Sequence, residues 1–60
     1  MSEFSIKVRE LRKKMGVTKK ELAAQVGVSD STITRWETDK AKPGSPETIK
    51  RLIEVANGIH

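Results

Sequence analysis

Sixty residues with no cysteine, one histidine and only Phe4 and Trp36 as aromatics leave room for a single small domain, residues 1–60. Such a domain is held by noncovalent packing of Val, Ile, Leu and Ala, without a disulfide or a structural zinc site. So short a chain hardly encloses a catalytic cleft, no apolar run approaches the roughly 20 residues that cross a bilayer, and the first residues lack a secretory stretch; the expectations are no enzyme, no cofactor or metal, no membrane partner and a cytoplasmic setting. The net charge of +4 is uneven, with +5 in the first twenty residues, −2 in the next twenty and +1 in the last, a basic end that suits a polyanionic partner as well as it suits plain solubility.

No apolar–polar alternation persists, and β-branched residues recur at helical spacing, so an all-α fold is expected. Phe4, Val8, Leu11 and Met15 form one helical stripe with Gly16 behind it as a left-handed stop, which predicts a first helix over residues 5–15. Thr18-Lys19-Lys20-Glu21 reads as a capping box, flanked by Val17 and Leu22 as a hydrophobic staple, and opens a second helix over 18–26 that stops at Gly27. Ser29 is the next N-cap, with Val28 and Ile33 as a second staple, and a third helix is expected over 30–38. Ile33, Trp36 and Glu37 share one side of it, and Asp30, Ser31, Thr34, Arg35 and Thr38 the other. Residues 39–44 (Asp-Lys-Ala-Lys-Pro-Gly) are loop by composition. Ser45, Pro46 and Glu47 then start a fourth helix over 46–56, whose apolar stripe is Ile49, Leu52, Ile53 and Ala56 and whose end is Asn57-Gly58. His60 is expected to be a disordered end.

Two short helices joined by about three residues with a glycine in the turn make a helix-turn-helix unit, whose second helix can enter the DNA major groove. Leu22, Ala23, Val26, Gly27, Val28, Ile33 and Trp36 stand where such a unit needs apolar, small or positive-φ residues. With Leu11-Arg12, Gly16-Val17-Thr18, Glu21-Leu22-Ala23, Gly27-Val28-Ser29, Thr32-Ile33 and Arg35-Trp36-Glu37, the chain closely resembles the phage-repressor/Cro-type helix-turn-helix family over most of its length. The resemblance implies a compact four-helix, lambda-repressor-like DNA-binding domain that acts as a transcriptional regulator, a repressor, binding operator DNA as a homodimer in the nucleoid. It departs from the family at Lys19, where many relatives have glutamine, at Asp39, where many have glycine, and in having no room for a fifth helix. The segment from Lys42 to Ile53 also resembles antitoxin regulators, so the rival reading is a protein-interaction module, an antitoxin half or bridging factor with a partner protein.

By the resemblance, Ser31, Thr34 and Arg35 stand where relatives read bases, and Lys19 where they hold phosphate, next to Thr18 at the start of the second helix. Arg35 suits a bidentate pair with guanine, its plainer alternative being a surface pair with Asp39. Thr34 suits a thymine methyl and Ser31 a base edge, or both are solvated hydroxyls. Asp30 faces the same way and either accepts from cytosine N4 or complements the helix dipole. Lys40 and Lys42 in the loop are positioned for backbone phosphates, whereas Lys13, Lys14 and Lys20 read as ordinary soluble lysines. The resemblance also implies that Arg12 pairs with Glu37; the alternative is two unrelated surface charges. Trp36 shares a face with Ile33 and is expected in the core.

Overall fold

The computed structural model describes residues 2–58, so His60 lies outside the described residues. Four helices follow one another, α1 (Glu3–Met15), α2 (Lys19–Val26), α3 (Asp30–Glu37) and α4 (Pro46–Ala56). No strand occurs among the described residues, and the all-α, four-helix expectation holds.

The ends follow from capping chemistry. α1 begins two residues earlier than the spacing of apolar residues predicts, at Glu3, because Ser2 takes an extended conformation and its hydroxyl accepts from the Ser5 amide at 3.2 Å. Thr18 is the cap of α2 and not its first residue: its hydroxyl accepts from the Glu21 amide at 3.1 Å, while the Glu21 carboxylate accepts from the Thr18 amide at 3.0 Å. Thr38 likewise terminates α3 and does not extend it. Ser45 occupies the cap position of α4 without making a side-chain capping bond, so Pro46 and the first-turn Glu47 are what favour that start. In the turn between α2 and α3, Gly27 has φ 86°, and a Cβ built there would meet nothing within 4 Å. The left-handed backbone, not crowding, is what calls for glycine.

Leu22, Ala23 and Val26 of α2, Ile33 and Trp36 of α3, Val8 of α1 and Val55 of α4 form the buried core. Phe4 meets Trp36 edge-on, with ring centroids 5.8 Å apart, so Trp36 is a core residue and no stacking platform for bases. Val17 and Val28, the outer halves of the two staples, pack against this core. α4 departs from the expected stripe. Val55 is its buried residue and Leu52 is half-buried, while Ile49, Ile53 and Ala56 stay exposed, because the apolar arc of α4 is wider than the surface the other helices offer it.

Candidate nucleic-acid interface

With Ile33, Trp36 and Glu37 buried, the roughly 100° step of a helix turns Ser31 and Arg35 directly outward and sets Asp30 and Thr34 to one flank. Asp30, Ser31 and Arg35 are exposed, and Thr34 is half-buried. The structure therefore brings the four expected base-contacting residues onto one accessible side of α3, with Thr34 less prominent than its helical position suggests. Its hydroxyl donates to the Asp30 carbonyl one turn back, at 3.2 Å, which folds the side chain against the helix. Among the described residues, neither Ser31 nor Arg35 makes a side-chain hydrogen bond or ion pair.

The inner side of α3 is fixed by charge as well as by packing. The Glu37 carboxylate is 3% exposed and accepts from Arg12 Nε at 2.8 Å and from Arg12 Nη2 at 3.2 Å. The Arg9 Nε stands 3.8 Å from the same carboxylate. Two arginines of α1 thus grip one buried acid near the C-terminal end of α3, and the bonds to Glu37 hold the Arg12 guanidinium above its ordinary pKa. Burying that acid without a partner would be costly, so the fork fixes where α3 sits against α1. The sequence pattern leaves out the share of Arg9, since Arg9 also reads as one more residue of a solvated basic helix.

The expected phosphate-contacting residues fall in two places, the start of α2 and the loop after α3, and Lys42 of that loop also lines an apolar groove with Phe4, Leu11 and Ile53. Thr18 is exposed and Lys19 half-buried at the start of α2, and Lys40 and Lys42 are exposed in the loop after α3. Because the Thr18 amide already bonds the Glu21 carboxylate, an anion arriving at that end meets the Thr18 hydroxyl proton and the Lys19 ammonium, not the Thr18 amide.

A further residue organises the loop. Asp39 has φ 62°, the one positive value outside glycine among the described residues, which is uncommon for a side-chain-bearing residue and least costly for Asp and Asn. Its carboxylate accepts from the Ser2 amide at 2.6 Å and from the Ser2 hydroxyl. These bonds, the hydroxyl's first and the amide's second, hold the Asp39 carboxyl below its ordinary pKa. Thus the residue that starts α1 is tied to the residue that precedes Lys40. The only signal for this in the sequence is an Asp at a place where the resembled family carries glycine.

A helix-turn-helix family model matches residues 8–58. That span holds α2, its turn, α3, and all of α1 from Val8 onward. The chain belongs to the Cro/C1-type helix-turn-helix family of DNA-binding transcriptional regulators. It is similar to an uncharacterized HTH-type transcriptional regulator, RghRB, of Bacillus subtilis (strain 168), with 40% identity over 55 residues, 92% of this chain and 40% of that protein. It is also similar to the type II methyltransferase M1.ScrFI of Lactococcus lactis subsp. cremoris, with 42% identity over 60 residues, 92% of this chain but 15% of that protein. The chain therefore spans less than half the length of either relative. The family is in general non-enzymatic. No solved structure matches the chain. Among the described residues, no helix is long and apolar enough to cross a membrane.

Proposed function

We propose that the chain is a single domain that recognises double-stranded DNA by sequence, as part of a cytoplasmic, nucleoid-associated transcriptional repressor, with α3 in the major groove and no catalysis of its own. The observation that carries this reading is the division of α3 itself. One side is anchored by Ile33, Trp36 and the Arg12–Glu37 fork, and the other presents Asp30, Ser31 and Arg35 to solvent beside Thr34. Arg35 supplies a fork of donors suited to guanine O6 and N7, Ser31 a hydroxyl for a base edge, and Asp30 an acceptor for cytosine N4. Thr18, Lys19, Lys40 and Lys42 neutralise phosphates on either side and set the register.

One such helix spans only a few base pairs, so useful specificity calls for two copies on adjacent half-sites. The exposed face of α4 supports that stoichiometry. Pro46, Ile49, Ile53 and Ala56 have the same spacing read from either end, so two antiparallel copies of α4 can set this patch against itself across a twofold axis. Ile49, Ile53 and Ala56 border an apolar groove that continues onto Phe4 and Leu11 of α1. The same face favours the second reading, a module that binds another protein and reads no DNA. Under the first reading, repression follows from occupancy of the operator.

A titration of the chain with duplex DNA over a salt series separates the two. Affinity that falls steeply with salt, together with loss of the guanine preference in Arg35→Ala at an unchanged far-UV spectrum, supports DNA reading. Indifference to DNA at low salt overturns it in favour of the interaction module.

A further inference from the structure

The hydroxyls along α3 differ in what they have left to offer a ligand. The Ser29 hydroxyl accepts from the Thr32 amide at 3.3 Å and lies 3.0 Å from the Thr32 hydroxyl, so both belong to the cap of the helix. The Thr38 hydroxyl donates to the Thr34 carbonyl at 2.8 Å, at the C-terminal end, away from the first turns that a recognition helix points at the bases. Ser31, in those first turns, has a hydroxyl with no partner among the described residues. Thr34 is the intermediate case. It stands on the accessible side beside Arg35, but its proton is already given to the Asp30 carbonyl.

That bond fixes both the rotamer and the chemistry of the side chain. With Oγ1 turned back on the helix, the heavy atom of Thr34 left without a role is the Cγ2 methyl, and the oxygen retains lone pairs but no free proton. Guanine offers only acceptors in the major groove, N7 and O6, and a committed hydroxyl has nothing to give them. A cytosine offers the N4 amino donor and no methyl. A thymine–adenine pair offers both complements, the C5 methyl of thymine for Cγ2 and the N6 amino group of adenine for Oγ1. We infer that Thr34 is a specificity-determining residue for thymine, reading the C5 methyl group through its own methyl while its hydroxyl acts only as an acceptor. Deepening the proposed DNA reading, this inference also rests on it, and it gives the flanking residue a different task from Arg35, whose free fork selects guanine.

A methyl contact differs from a hydrogen bond in what abolishes it. Removing one methyl from such a contact costs about fourfold in affinity, the worth of one buried carbon. It makes no difference which partner loses it. Deoxyuridine keeps every hydrogen-bonding group of thymine and lacks only the C5 methyl, and 5-methylcytosine carries the methyl on the other pyrimidine.

The test uses the full chain on its best-bound duplex from a random-sequence selection, with each conserved thymine replaced in turn by deoxyuridine. At one position, the replacement should weaken wild-type binding about fourfold. Thr34→Ser, which keeps the hydroxyl and loses the methyl, should bind the thymine and deoxyuridine duplexes alike. Thr34→Val, which keeps the methyl and loses the hydroxyl, should still discriminate. Arg35→Ala should weaken both duplexes by the same factor and leave their ratio unchanged. At the same position, 5-methylcytosine should bind better than cytosine. Thr34→Ser that discriminates as wild type does, or wild type that is blind to deoxyuridine at every thymine, overturns the inference while leaving DNA recognition intact. A wild-type chain that enriches no duplex at all overturns the proposed function itself and this inference with it.

Discussion

Helices α3 and α4 are both amphipathic, yet the rest of the chain treats them differently. α3 has its apolar side wholly covered, with Ile33 and Trp36 buried and Glu37 held by two arginines of α1. α4 contributes one buried residue, Val55, and leaves Ile49 44% and Ile53 55% exposed. α3 is packed firmly along its inner side, so that its outer residues inherit the rigidity of the core. An element whose apolar side is left open contributes less to the stability of the single chain and leaves apolar surface uncovered, the surface proposed above for a second copy.

Four measurements can break or sharpen that contrast. The largest effect belongs to the fork. Glu37→Ala leaves Arg12 facing a partly buried space with no acceptor, and it should cost about 3–5 kcal/mol in urea unfolding, toward the lower end because the Arg12 side chain keeps 29% exposure. Replacing both partners together, Arg12→Met with Glu37→Leu, should recover much of the loss. A single-variant cost under about 1 kcal/mol would make the fork an ordinary surface pair and remove the anchor of α3.

Next comes a matched pair of truncations. Leu22→Ala, in the α2–α3 core, should cost about 2–5 kcal/mol, whereas Ile53→Ala should change the unfolding of the isolated chain by no more than about 0.5 kcal/mol. Ile53→Glu, equally mild for the single chain, should abolish binding of the second copy on DNA, read as a halved stoichiometry. Equal costs for Leu22 and Ile53 would erase the distinction between the covered α2–α3 core and the open face of α4.

The tether between Ser2 and Asp39 has a pH signature. Its bonds favour the ionised carboxyl and lower the Asp39 pKa, so the stabilisation is complete above the ordinary carboxylate range and is lost as pH falls through the lowered value. Asn tolerates the same backbone conformation, which makes Asp39→Asn the appropriate control. The stability difference between the wild type and this variant should shrink on acidification below about pH 4, and a difference constant from about pH 6 to about pH 2 would show that the tether contributes nothing.

The smallest effect is electrostatic. Lys42→Ala should flatten the plot of log K against log salt by about one unit with sequence preference unchanged. An unaltered slope would place Lys42 away from the phosphates.

Much of this contrast is legible in the residues alone. The Thr18–Glu21 box, the stops at Gly16 and Gly27 and the 3.6-residue spacing of Leu22, Val26, Ile33 and Trp36 are local signals, and they specify α2, the turn and the inward side of α3. What escapes them is long-range or conformational. Arg12 and Glu37 lie 25 positions apart, so only the family resemblance points to their pairing, and nothing points to Arg9 as the second cation. Ser2 and Asp39 are 37 positions apart. Capping by Ser2 also explains why α1 begins at Glu3: a single serine before an apolar stripe is a weak start signal until the geometry shows its hydroxyl on the Ser5 amide. The stripe of α4 was legible as a stripe, but periodicity cannot tell whether the remaining helices are large enough to cover it. For Thr34, the sequence leaves a methyl contact and a solvated hydroxyl equally open, and the bond of its hydroxyl to the Asp30 carbonyl is the observation on which the proposed methyl contact rests.

The most direct test of the proposal that α3 reads DNA is a selection of bound duplexes from a random pool by the full chain. The expected result is a twofold-symmetric consensus whose half-sites are centred about 34–36 Å apart, with its guanine preference lost when Arg35 is replaced by Ala. A bound pool with no consensus, or the same consensus recovered with Arg35→Ala, would contradict it.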